Sequence, residues 1–85
     1  MEFLIVAFRS RAHTIKFANL LSAHGIAMEI VNTPKEAGVG CGLSVRIKRE
    51  SFSLVKQIVF SLSLSSFAGF FTVNEIGGRK IVRSI

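Results

Sequence analysis

An α+β sandwich in the order β-α-β-β-α-β is what this chain of 85 residues predicts. Three observations carry the reading. Glu2 to Phe8 holds an unbroken apolar run and is followed by apolar residues at helical spacing. Residues 42–49 alternate cleanly between apolar and polar, the pattern of a strand with only one face in a core. Phe52 to Leu62 then returns to helical spacing, ahead of a stretch rich in Phe, Thr and Val. The chain therefore reads as two similar halves joined by a central connection, and its length allows a single domain over residues 1–85.

Each element has a local reason. Seven residues with Ile5 and Val6 among them suit a buried central strand better than a helix, which needs more length. Ser10 can cap the helix that follows. On a period of 3.6 residues Thr14, Ile15, Phe17, Ala18 and Leu21 share a face, while Arg11, Lys16, Asn19 and Ser22 lie elsewhere. Gly25 stands where a left-handed C-terminal cap is expected. Ile26 to Val31 reads as a second strand, stopped at Asn32-Thr33-Pro34 because proline cannot donate to a ladder. In the third strand Leu43, Val45 and Ile47 point one way and Ser44, Arg46 and Lys48 the other.

Glu50 or Ser51 can start the second helix, with Phe52, Val55, Ile58, Val59 and Leu62 on one face and the serines at 61, 63, 65 and 66 ending it. Phe67 to Glu75 makes the fourth strand. The tail from Gly77 to Ile85 can add a short fifth, since a glycine pair precedes Ile81 and Val82. Right-handed crossovers place both helices on one face of a four-stranded antiparallel sheet, the ferredoxin-like sandwich. The expected core is Leu4, Val6, Ile15, Ala18, Leu21, Val45, Ile47, Val55, Val59 and Leu62.

Composition narrows the function. The chain has 11 Lys and Arg against 5 acidic residues, a net charge of +6 that favours anionic partners. No Asp occurs, and the Glu residues are scattered, so neither paired-carboxylate chemistry nor a Ser-His-Asp set is available. One cysteine rules out an internal disulfide, and no Cys/His spacing suits zinc, so no metal and no cofactor are expected. His24 beside Gly25 reads as a cation at a helix C-terminus, and His13 lies in a first turn where it could approach Cys41. The N-terminus lacks the charged start and cleavage site of a secretory signal. Residues 57–74 are uncharged but carry Gln57, Thr72, Asn74 and four serines, which argues against a membrane span. A cytoplasmic location without membrane contact is the expectation.

The single thiol has an informative position. In the expected topology the connection between strands two and three lies at the same end as the start of the first helix, so Thr33 to Gly42 is expected beside Arg9-Ser10-Arg11. A helix N-terminus together with Arg9, Arg11 and Lys35 favours thiolate over thiol, so Cys41 is expected to titrate below the free value of about 8.5. Gly38, Gly40 and Gly42 lack a Cβ, so the backbone can take left-handed angles and turn N–H groups toward a thiolate, a persulfide or a small anion. Ten residues where a tight hairpin would suffice point to a functional loop. The candidate site is thus Cys41 with Gly40, Gly42, Ser10, Arg9, Arg11, Lys35 and Pro34 around it.

The combination of Phe8-x-Ser10, Thr33-Pro34-Lys35-Glu36 and Cys41-Gly42-Leu43 resembles the small bacterial family of selenium/sulfur carrier-like proteins, over residues 3–75. Lys35 stands where that family has arginine, which replaces a bidentate fork by a point charge. The resemblance implies a carrier rather than an enzyme: Cys41 would accept a sulfur or selenium atom from a donor protein and pass it to an acceptor. Two other readings stand beside it. One is a regulatory module holding a small anion at the loop and helix N-terminus. The other is nucleic-acid binding on the open sheet face, disfavoured by the absence of Tyr and Trp. The β-branched tail around Ile81 and Val82 offers an apolar edge and suggests a homodimer.

Overall fold

The computed structural model describes residues 2–39 and 42–85. The elements run β1 (Glu2–Phe8), α1 (Arg11–Ala23), β2 (Met28–Asn32), β3 (Leu43–Ile47), α2 (Phe52–Leu62), β4 (Phe67–Ile76) and β5 (Arg79–Ser84), with 3-10 turns at Lys35–Ala37 and Arg49–Ser51. The strands form one sheet in the order β2-β3-β1-β4-β5, and every neighbouring pair is antiparallel. This corrects the four-stranded ferredoxin-like sandwich of the sequence reading: the sheet has five strands, the tail supplying the fifth. Its cause is local. Gly77 and Gly78 both take positive φ, 57° and 80°, the two-residue turn whose twist suits a hairpin. Val82 then pairs with Val73 and Ile81 with Asn74.

Two apolar layers flank the sheet. On one side Leu4, Val6 and Phe8 of β1, Val45 and Ile47 of β3 and Phe70 of β4 meet Phe17, Ala18 and Leu21 of α1 and Val55 and Val59 of α2. Both helices therefore cover the same face. Burial of these side chains is the main stabilising term, and the Phe8 and Phe17 rings at its centre lie 5.2 Å apart between centroids. On the other side Ile5, Ala7, Phe71 and Val73 form a smaller cluster.

One expected core residue falls outside. Ile15 is 40% exposed. It sits about 100° around the helix from Thr14, toward the flank, and the buried stripe is Thr14, Phe17, Ala18 and Leu21. Leu62 is half-buried and packs at the margin of the core. The uncharged stretch 57–74 is split. Ser63 takes the left-handed conformation (φ 50°) at the end of α2, and β4 starts at Phe67. Among the described residues no helix is long and apolar enough to cross a membrane.

Candidate functional site

The connection between β2 and β3 is closed at its base. The N–H of Thr33 donates to the carbonyl of Gly42 at 3.0 Å, and the hydroxyls of Thr33 and the buried Ser44 lie 2.7 Å apart. Pro34 is buried and begins a 3-10 turn, which its fixed φ favours: its carbonyl accepts from the N–H of Ala37 at 3.0 Å. Gly38 ends the turn at φ 67°, donating its N–H to the carbonyl of Lys35 at 3.1 Å. Gly42 behaves differently from the expectation that grouped the glycines. It is not among the residues of positive φ, and a Cβ there would meet nothing within 4 Å.

The end of the connection lies where topology predicts, at the β1–α1 end of the sheet: Ser44 pairs with Ala7. What the sequence reading lacks is the middle of its path. There Ala37 and Val39 pack with Ile5, Ala7, Phe71 and Val73 on the sheet face away from the helices, and the turn Lys35–Ala37 lies against β5. Apolar area drives this course. That face is uncovered by helices, and the two apolar side chains leave water by closing it. The tie to α1 is at the base of the connection, where the buried Thr14 hydroxyl donates to the carbonyl of Leu43 at 3.3 Å.

The start of α1 is tied to another segment. The Ser10 side chain accepts from the N–H of His13 at 3.2 Å, so its hydroxyl serves as the helix cap, while its carbonyl accepts from the Thr14 N–H at 3.0 Å. His13 Nδ1 and the Ser66 hydroxyl lie 2.5 Å apart, and the Arg9 N–H donates to the Ser66 carbonyl at 2.7 Å. Arg9, Arg11 and Lys35 are exposed, and among the described residues none of the three is paired with a carboxylate. Cys41 and Gly40 lie outside the described residues. The sequence reading missed Thr14, Ser44 and Ser66. A threonine four residues after a capping serine was a readable signal for the first of them, whereas the other two bonds join segments 11 and 53 residues apart.

Among the described residues no three metal-ligating side chains come together. An open groove of about 560 Å³ lies at the opposite end of the sheet, between the start of β1 and the end of β3. Four of its six charged side chains are engaged with each other: Arg46 stacks 4.4 Å from the Phe3 ring centroid and lies 3.6 Å from Glu29, and Arg49 pairs with Glu2. The open-face requirement of the nucleic-acid reading also meets an obstacle, since Phe71 is buried in the cluster with Ala37 and Val39.

Comparison with protein families matches residues 3–64 to the family described as "Putative Se/S carrier protein-like". No curated protein matches the chain, and no solved structure does.

Proposed function

The chain belongs to the Se/S carrier protein-like family, and from that premise we propose that Cys41 carries a single sulfur or selenium atom between proteins. The observation that carries the proposal is that the matched span, residues 3–64, contains the chain's one thiol inside its long central connection. The Cys41 thiolate attacks the outer sulfur of a donor persulfide. A new S–S bond forms on Cys41, the donor's S–S bond breaks, and the donor leaves as a thiolate that takes up a proton. No oxidant is consumed, and no second cysteine is needed, because release repeats the same exchange with an acceptor thiol. Selenium transfers in the same way through an Se–S bond. We read the frame as a ferredoxin-like sandwich extended by β5, working in the cytoplasm.

Two features support this reading. The pinned base at Thr33, Gly42 and Ser44 holds the ends of the connection, so its exposed residues are presented from a fixed stem. Lys35 in that connection, and Arg9 and Arg11 nearby in sequence to the α1 cap, supply cations that favour a thiolate and an acidic donor surface. Intact-mass spectrometry after incubation with a persulfide (R–S–SH) or a selenopersulfide (R–S–SeH) donor tests the proposal. The expected result is a gain of one sulfur or selenium atom that a thiol reductant removes and that Cys41→Ser abolishes. A chain that gains no mass, or gains it equally without Cys41, is not a carrier.

A further inference from the structure

Strand β5 forms one edge of the sheet, and no described strand pairs with its outer side. Its hydrogen-bonding phase follows from the hairpin. The two-residue turn makes Ile76 and Arg79 the first bonded pair, and at the far end the Ile85 N–H donates to the Phe70 carbonyl at 3.0 Å. Alternation then turns the backbone groups of Arg79, Ile81 and Arg83 toward β4, and those of Lys80, Val82 and Ser84 outward. The side chains of Arg79, Ile81 and Arg83 share one face, opposite Ile76, Asn74 and Thr72 of β4, and all three are exposed. Val82 on the other face is seated in the cluster that holds Ala37 and Val39. The strand thus offers a firm backbone edge, three cations and no carboxylate.

We propose that this edge binds an extended acidic segment of the donor or acceptor protein as a sixth strand, reading the pattern acidic–x–apolar–x–acidic against Arg79, Ile81 and Arg83. The identity of the partner rests on the carrier reading; the docking itself does not. The turn Lys35–Ala37 packs against β5, so a segment added there runs beside the connection that contains Cys41. A second copy of this chain fits worse. The outward groups of Lys80, Val82 and Ser84 allow two full antiparallel registers of β5 on β5. The one centred on Ile81 sets Arg79 opposite Arg83 of the other copy, and the one centred on Val82 sets Arg83 diagonal to Arg79 and Arg83 of the other copy. Like charges directly opposite destabilise a pair, whereas acidic residues there stabilise it. β5 has no aromatic side chain on which a base could stack, which sets nucleic acid aside at this edge.

Fluorescence anisotropy of the full chain with a labelled peptide containing Glu-Thr-Val-Thr-Glu tests the proposal. The acidic peptide is expected to bind and its Lys-Thr-Val-Thr-Lys counterpart not to. The Arg79→Glu/Arg83→Glu variant, its fold checked by circular dichroism, is expected to lose about tenfold in affinity, two cross-strand charge pairs having changed sign. N-methylation of alternate peptide amides is expected to abolish binding in one phase and spare it in the other. Binding indifferent to peptide charge, or to the phase of methylation, overturns the proposal. So does protection of the Lys80, Val82 and Ser84 amides from exchange on raising the concentration of the chain alone, which is self-pairing. Cys41→Ser is expected to keep peptide binding. Peptide binding without sulfur loading defeats only the carrier reading, and loading with charge-blind peptide binding defeats only the docking.

Discussion

The hydroxyl of Thr14 on α1 lies between two carbonyls that share its one proton, that of Leu43 at the start of β3, 3.3 Å away, and that of Ser10 at 3.1 Å. One buried polar side chain thereby joins the helix cap to the end of the connection containing Cys41. Thr14→Val keeps the shape and removes the donor. It is expected to cost about 1–2 kcal/mol in urea unfolding, and Thr14→Ser less, since the hydroxyl remains. Equal losses in both variants would show that the methyl group, not the hydrogen bond, does the holding.

The two described glycines of the connection are expected to respond differently to a methyl group. Gly38→Ala forces a Cβ into the left-handed region at φ 67° and is expected to cost about 1 kcal/mol. Gly42→Ala has neither a positive φ nor a neighbour within 4 Å and is expected to be near neutral. Thermal unfolding of the two variants side by side decides it, and a Gly42 variant as unstable as the Gly38 variant would contradict the assignment.

Phe17 and Ile15 lie two residues apart on α1, one fully buried and one 40% exposed. Phe17→Leu is expected to cost about 1–2 kcal/mol through lost packing against Phe8. Ile15→Ala is expected to cost under about 1 kcal/mol, because little area is uncovered and alanine favours the helix. Denaturant midpoints in the reverse order would show that α1 is rotated about its axis.

Alkylation of Cys41 by iodoacetamide is expected to slow about twofold to threefold near neutral pH in Lys35→Ala or Arg11→Ala. Removing a cation raises the thiol pKa, so less thiolate is present at neutral pH. At alkaline pH, where the thiol is ionised in every variant, the rates converge. A rate ratio constant across the pH range would point to altered access instead of altered charge.

Much of the fold is legible along the chain because its signals are short-ranged. The Ser10 cap, the left-handed Gly25 at φ 70° after α1, the alternation of 43–47 and the break of α2 at the serines each depend on a few neighbouring residues. The candidate site was legible as a segment: a long connection with one thiol, started by Pro34 and relaxed by glycine. Its surroundings were legible only in part. Topology alone puts the end of the connection at the β1–α1 end of the sheet, but not the packing of Ala37 and Val39 on the opposite face, which depends on apolar area that distant strands supply.

The sequence by itself determined which segments form strands and helices, with ends displaced by a residue or two, and that a single thiol sits in the connection between β2 and β3. Those outcomes follow from backbone sterics, side-chain period and capping bonds that close within about a turn. Only the tertiary structure decided that the tail completes a fifth strand, that Ile15 faces outward, and that Ala37 and Val39 fold over Ile5, Ala7, Phe71 and Val73 toward β5. The physical reason is that apolar burial is non-directional and sums over surfaces contributed by residues far apart in the chain, so its winner emerges only when the strands that supply those surfaces are side by side.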